Sequence, residues 1–247
     1  MNTSPTNQRI KLLANYMKLA SFKDYDTLLR DAISSQKTHE EFLLSLLEEE
    51  AISRKNNRLN RLKRSAKFPF EKTLENFEHE RLQFVDSAII NSLSKCDFIN
   101  NNENIIMIGN PGTGKTHLSI AIGLNACKAE KRVLFTTAAA LSNRLIEAEK
   151  NHNLGKLMRS ISKLDLLILD ELSYLTFNRE QSELLFQVIS ERSERGSLII
   201  TTNLEFSKWE EFFPDTMLTN ALIDRVTFNA HILNMNGESY RLASSAT

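Results

Sequence analysis

Three of the chain's seven glycines fall within residues 109–116, which read G-N-P-G-T-G-K-T. Gly109, Gly114, Lys115 and Thr116 satisfy the pattern G-x-x-x-x-G-K-[ST], with Asn110, Pro111, Gly112 and Thr113 completing the loop and His117 following it. The chemistry of such a run is capture of a polyanion. Glycines let the backbone curl so that its N–H groups and the N-terminus of the next helix face phosphate oxygens, and the helix dipole adds to the attraction. Lys115 is expected to reach the β- and γ-phosphates of a nucleoside triphosphate, and the Thr116 hydroxyl to hold Mg²⁺.

A second cluster complements the first. Leu166, Leu167, Ile168 and Leu169 lead into Asp170 and Glu171, and Asp170 lies 55 residues after Lys115. Two carboxylates side by side at a strand end repel each other unless a cation or a proton-transfer role offsets the repulsion. Asp170 is expected to orient Mg²⁺ through its water shell, and Glu171 to polarise the attacking water, which separates hydrolytic P-loop proteins from nucleotide kinases. A third polar point follows the run 198–200, at Thr201, Thr202 and Asn203. In a sheet where this strand separates the P-loop strand from the Asp170 strand, Asn203 would sense the γ-phosphate and position water. Taken alone, an asparagine there is equally a turn former.

These residues need a scaffold that brings strand ends together. From Leu82 onward apolar strand candidates at 105–108, 133–136, 164–169, 198–202 and 230–235 alternate with helical segments that include 117–129, 138–150 and 182–192. That alternation predicts an α/β fold with a parallel sheet covered on both faces. The first 67 residues differ: they hold one proline, no glycine, and apolar residues at helical spacing. Three helices fit. Ile10, Leu13, Met17 and Ala20 mark one face of the first, Asp24 caps a second carrying Leu28, Leu29, Ala32 and Ile33, and Thr38 with Glu41 forms a capping box for a third. Pro69 disfavours helix at Phe68, so a small all-α N-terminal domain over 1–67, a linker over 68–78 and an α/β domain over 79–247 are expected.

The bulk properties fit this division. A chain of 247 residues holds one large core and a small accessory module. Hydrophobic content of 41% and charged content of 25% are those of a folded globular protein, and no run approaches the roughly 18 apolar residues of a membrane helix. With no signal-peptide core, a cytoplasmic protein without membrane association is expected. Cys96 and Cys127 have no metal or redox spacing and read as buried reduced thiols, and the five histidines form no metal set. The formal net charge is zero but uneven: Arg54, Lys55, Arg58, Arg61, Lys63, Arg64 and Lys67 come with no acid among them.

The ordered words G-N-P-G-T-G-K-T-H-L, L-L-I-L-D-E-L, I-I-T-T-N-L, A-L-I-D-R and G-E-S-Y-R resemble the IstB family of AAA+ ATPases, transposition helpers encoded beside the transposase of certain insertion sequences. K-T-L-E-N-F at 72–77, S-K-W at 207–209 and G-E-S-Y-R at 237–241 are more particular to that family than the P-loop; DnaC-type helicase loaders match them less well. The resemblance covers about residues 72–242. It implies an AAA+ P-loop fold with a five-stranded sheet in the order 5-1-4-3-2, ATP and Mg²⁺ as cofactors, and homo-oligomers whose sites are completed between subunits. Arg225 of A-L-I-D-R falls at the family's arginine finger, which would act in trans on the neighbouring subunit's phosphates. Arg241 has too few residues after it for the helical lid that usually carries a second phosphate sensor, and is not counted in the site. Phe177 and Asn178 depart from the proline and acid the family commonly has after the acidic strand.

A basic run on a helix is more often a solvated face than a ligand surface. Within the resemblance, the cations at 54–67 are expected to track a DNA backbone, with Arg144, Lys150, Lys156 and Arg159 as further cations. No major-groove reading motif is present, so binding to double-stranded DNA is expected to be largely independent of sequence. The resemblance thus implies an ATP-driven assembly on duplex DNA that deforms it, recruits the transposase of the same element and disassembles on hydrolysis. A DnaC-type replicative helicase loader is the alternative, and a P-loop small-molecule kinase a third reading.

Overall fold

A computed structural model of the chain describes residues 4–77, 82 and 84–240. The chain divides into two compact units between Arg61 and Leu62.

The smaller unit contains α1 (Pro5–Tyr16), α2 (Tyr25–Ser34) and most of α3 (His39–Ala66). Pro5 occupies the first turn of α1, where its missing N–H costs nothing, and Ser4 caps that helix. The Thr38–Glu41 capping box forms in both directions: the Thr38 N–H donates to the Glu41 carboxylate at 2.7 Å, and the Glu41 N–H to Thr38 Oγ1 at 3.2 Å. Two expectations need correction. Asp24 stands at the N-cap of α2 but makes no capping hydrogen bond. The apolar face expected for α1 does not form: Ile10 is only half-buried, and the helix ends at Tyr16, where the chain turns through Lys18 at φ 56° before Met17 and Ala20 can extend it. Ala14 is the residue α1 buries, while Leu13 and Met17 stay exposed.

The larger unit is built on β1 (Asn104–Ile108), β2 (Val133–Thr137), β3 (Leu166–Asp170), β4 (Ser197–Thr202) and β5 (Ala230–Asn234). All pair in parallel in the order β2-β3-β4-β1-β5, the expected order read from the other edge. β1, β3 and β4 are buried along their whole lengths, which explains the apolar runs 105–108, 166–169 and 198–200 at their centres; the polar residues fall at the strand ends. The helices before β2 are α4 (Ser87–Ser94), α5 (Asp97–Asn100) and α6 (Lys115–Lys128). Those after it are α7 (Ala138–Lys150), α8 (Leu154–Ser162), α9 (Arg179–Arg195) and α10 (Thr216–Thr227). Alternate strand residues, including Ile106, Leu167, Leu169, Leu198 and Ile200, form one core with α7 to α10, and α6 packs against β2, β3 and β4. Cys96 and Cys127 are free, buried thiols that burial pushes up to about 11. Among the described residues no helix is long and apolar enough to cross a membrane.

The segment expected as a linker is structured, as far as its described residues 68–77 go. Ala66 is fully buried, the Phe68 ring lies against Gly123 in α6 and 6.3 Å from the Phe135 ring, and Phe77 is buried. Three apolar anchors hold this strap on the larger unit, so the unit begins inside α3 rather than after residue 78.

The departures Phe177 and Asn178 also have structural roles. Phe177 stacks on Phe213 at 5.3 Å in the core, and Asn178 forms a capping box with Gln181 that starts α9 three residues earlier than expected. Near the other end of α9 lies Arg192, 1% exposed, whose guanidinium donates to the carbonyls of Leu164 (2.7 Å), Asp165 (3.2 Å) and Ser197 (3.3 Å). It ties the starts of β3 and β4 to the helix. Arg192→Ala removes three charge-assisted hydrogen bonds from buried and half-buried carbonyls and is expected to cost about 3 kcal/mol, roughly 6–12 °C in Tm by calorimetry.

Candidate functional site

A cleft of about 630 Å³ opens over the C-terminal ends of β1, β3 and β4. Such strand ends are where open α/β sheets bind ligands. The loop between β1 and α6 forms its floor. Gly109 is required by contact: a Cβ there would lie 2.4 Å from the Met235 carbonyl at the end of β5. Gly114, at φ 93°, is the N-cap of α6, a backbone conformation that side chains disfavour. Pro111, Gly112, Gly114, Lys115, Thr116 and His117 line the cleft; Gly109, Asn110 and Thr113 support it from behind, with Thr113 Oγ1 donating to the Asn110 carbonyl at 2.9 Å.

Lys115 is buried, and its ammonium donates to the carbonyls of Gly109 at 2.6 Å and Asn110 at 2.7 Å. It sits at the floor of the cleft with its charge directed into the loop. Thr116 Oγ1 lies 3.0 Å from both carboxylate oxygens of Asp170. Asp170 Oδ1 also accepts from Thr201 Oγ1 at 2.6 Å. Burial pushes the Asp170 carboxyl above its usual range, against the opposing pull of the Thr201 and Thr116 hydroxyls and the Lys115 charge. Glu171, next in the chain, lines the cleft and is exposed. Asn203 lines it from β4, with its N–H bonded to Ser173 Oγ at 3.0 Å.

His117, which lines the cleft, also reaches back to the segment before it. Its Nε2 lies 2.9 Å from the Thr73 carbonyl, and its ring meets Phe77 edge-on at 5.1 Å. Burial lowers its pKa, against the pull of the Thr73 carbonyl. The imidazole therefore joins α6 to the strap. Phe77 also covers Gly114, and from the other end of the chain the Tyr240 ring approaches the same glycine. Asn236 Oδ1 accepts from the Asn110 N–H at 3.1 Å, and the Tyr240 N–H donates to the Gly112 carbonyl at 3.0 Å. The words K-T-L-E-N-F and G-E-S-Y-R thus grip the phosphate loop from two sides, with Arg241 outside the described residues. The third, S-K-W, places Trp209 in the core, where its Nε1–H donates to the Leu204 carbonyl at 3.3 Å.

Arg225 is not among the residues that line this cleft. It lies on α10 with its guanidinium 4.8 Å from the Phe186 ring centre, beside a separate concavity with Asn101, Ser193 and Phe228. Of the seven cations at 54–67, Arg54 pairs with Glu50 at 2.7 Å and Lys63 with Glu71 at 3.1 Å; acids flanking the run engage these two, which the absence of acids within it does not reveal. Arg54, Lys55, Arg58, Arg61, Arg64 and Lys67 are exposed. Arg144 and Lys156 line a polar groove between α7 and α8, and Lys150 and Arg159 are exposed. His231 pairs with Glu103 at 2.8 Å, His39 and His152 are exposed, and His79 lies outside the described residues.

The donor set suits one hard cation that keeps most of its shell. Among the described residues no group of three or more His, Cys, Asp or Glu side chains could hold a metal. One hydroxyl and one buried carboxylate are what Mg²⁺ takes from a protein when phosphates and water supply its other ligands.

Sequence reasoning passed over Thr201, Phe77 and Tyr240. Thr201 adjoins the polar strand end but touches the carboxylates only through the β3–β4 pairing; the two aromatics belong to segments far from the loop in sequence. Lys115→Ala is expected to weaken binding of a fluorescent ATP analogue about 30-fold, the loss of about 2 kcal/mol of charge-assisted hydrogen bonding. Parent-like affinity in that titration would reject the site.

The parallel sheet in this order, the phosphate loop after β1 and the carboxylates after β3 together define a P-loop ATP-binding protein of the AAA+ class. The chain belongs to the IstB-like ATP binding protein family, whose model matches residues 13–247. It is 36% identical over 217 residues to the insertion sequence IS21 ATP-binding protein of Pseudomonas aeruginosa, covering 88% of this chain and 82% of that protein. It is 38% identical over 205 residues to the insertion sequence IS5376 ATP-binding protein of Geobacillus stearothermophilus, covering 83% and 82%. The fold is similar to the DnaC helicase loader, with TM-score 0.51 and 19% identity over 72% of this chain and 99% of that one. It is also similar to AMPPCP-bound DnaA from Aquifex aeolicus, with TM-score 0.54 and 20% identity over 66% of this chain and 50% of that one.

Proposed function

We propose that the protein is an ATP-hydrolysing, DNA-binding transposition helper. It assembles with ATP on duplex target DNA, deforms it, recruits the transposase of its own element, and leaves when ATP is hydrolysed. The observation that carries this reading is the convergence of Lys115, Thr116, Asp170, Glu171 and Asn203 on one cleft while Arg225 lies apart from it. Lys115 and the loop amides bind the β- and γ-phosphates, and Thr116 with Asp170 holds Mg²⁺. An ion held there would supply positive charge against that of the phosphates. Glu171 accepts the proton of the attacking water, Asn203 orients that water, and Arg225 of one subunit meets the phosphates held by its neighbour. Hydrolysis is then a timer for an assembly.

Insertion-sequence relatives favour transposition over helicase loading as the setting. The test is imaging of the purified protein with ATP, Mg²⁺ and duplex DNA. Failure to form ATP-dependent oligomers on duplex sinks the reading; stable capture of a ring helicase with single-strand preference supports the loader; phosphate transfer to a small acceptor supports the kinase. The basic run contributes backbone contacts that release counterions. Replacing Lys55, Arg58 and Arg61 together by alanine is expected to lower the slope of log K against log salt by about 3, uniformly across DNA sequences, in fluorescence anisotropy titrations.

A further inference from the structure

We infer that Thr201, at the end of β4, is the positioning residue that sets both carboxylates of the hydrolytic site; this rests on the ATPase reading above. A threonine hydroxyl has one proton to donate and two lone pairs to accept with. Here the proton goes to Asp170 Oδ1 at 2.6 Å, and the oxygen accepts the Glu171 N–H at 2.9 Å. The Thr201 carbonyl then accepts the N–H of Leu172, also at 2.9 Å. One residue therefore holds three consecutive positions at and just beyond the end of β3, by a side chain on two of them and by its backbone on the third. Thr201 is 2% exposed, so solvent competes little for these bonds.

Backbone geometry explains why such a clamp is needed. Leu169 is the last β3 residue paired in register with β4, opposite Ile200, and Glu171 then turns into the left-handed region at φ 56°. A non-glycine residue there is uncommon and holds that conformation only where its surroundings impose it. The turn removes Glu171 from the extended path of β3, on which it would continue the strand, and leaves its side chain on the cleft. The surroundings that impose it are the two hydrogen bonds to Thr201. Thr201 also pairs with Met107 of β1, so the clamp stands between the strand that carries the phosphate loop and the strand that carries the acids. Thr116 grips Asp170 from the phosphate-loop side, and Thr201 from the sheet side. Thr201 thus acts on hydrolysis through Asp170 and Glu171, leaving Lys115 and the loop amides that capture the phosphates untouched.

The test compares Thr201→Val, which removes donor and acceptor at similar size, with Thr201→Ser, which keeps both. Thr201→Val is expected to lower kcat for ATP hydrolysis about 10- to 100-fold, as loss of a hydrogen bond to the Asp170 carboxylate together with one to the Glu171 backbone N–H implies. Affinity for a fluorescent ATP analogue without Mg²⁺ should stay within about twofold of the parent, and the gain in affinity on adding Mg²⁺ should shrink. Thr201→Ser should recover kcat to within about threefold. If Thr201→Val does not fold, Thr201→Cys, of similar size with a weak donor, is expected to give the same split. An unchanged kcat and Mg²⁺ gain, equal loss of Mg²⁺-free binding and kcat, or failure of serine to rescue overturns the assignment. Were the parent itself not to hydrolyse ATP, the ATPase reading would fail instead, and the Mg²⁺-dependent binding step alone would decide the role of Thr201 toward Asp170.

Discussion

Glu171→Gln is expected to leave ATP bound and to slow its hydrolysis about 100- to 10,000-fold, the range that a positioned general base supplies. Glutamine keeps the length of the side chain and its place on the cleft, so the phosphate loop, Thr116 and Asp170 are untouched. It removes the basic oxygen that accepts the water proton in the proposed mechanism. Because Glu171 is exposed and lines the cleft without a role in the core, the variant should fold and melt like the parent. The measurements are phosphate release, retained radiolabelled ATP, and the lifetime of the assembly on duplex DNA. Retained ATP and a longer-lived complex are the expected pair; undiminished phosphate release removes Glu171 from the mechanism. The contrast with Lys115→Ala, which acts on binding, separates the two steps.

Arg225→Ala is expected to lower hydrolysis in the assembled protein about 1,000-fold while leaving nucleotide binding by the single subunit unchanged. The reason is positional. Arg225 lies over Phe186 in a concavity of its own, and it is absent from the walls of the cleft that holds Lys115 and Asp170. On the proposed mechanism, an arginine so placed acts on a phosphate held by another copy of the chain. Mixing distinguishes this from a general loss of structure. A subunit with Glu171→Gln still offers Arg225, and one with Arg225→Ala still offers Glu171, so combining the two inactive proteins should restore part of the activity. No recovery on mixing, or full activity in Arg225→Ala alone, would falsify the trans assignment. The substitution also removes a cation–π contact worth about 0.5–1 kcal/mol, a loss small enough to leave the fold intact.

The central sheet was legible because its chemistry is local. A parallel strand covered on both faces is predominantly apolar, and the strands expected at 105–108, 164–169 and 198–202 on that ground fall within two residues of the observed ends. The helical unit was less legible. Its apolar residues recur at helical spacing, but the turn at Lys18 ends α1 before Met17 and Ala20 can join the expected face, and no periodicity announces a left-handed residue. The strap at 68–77 was harder still. Pro69 correctly breaks the helix, yet a break in helix is silent about packing, and only the apposition of Phe68 to Gly123 and of Phe77 to Gly114 turns the segment into part of the site.

The same boundary separates what was knowable about the chemistry. The sequence by itself determined a phosphate-loop pattern at Gly109–Thr116 in an expected strand–loop–helix setting, because the residues of that pattern are neighbours in the chain and their spacing is the signal. It also placed Asp170 and Glu171 at a strand end. Only the tertiary structure decided what holds those carboxylates in place. Thr201 is 31 residues from Asp170 in the chain and 2.6 Å from it in space. Parallel strands are joined by crossovers, so the partners of a strand end come from distant segments. For the same reason the grip of Phe77 and Tyr240 on the phosphate loop, and the separation of Arg225 from it, exist only once the sheet has assembled.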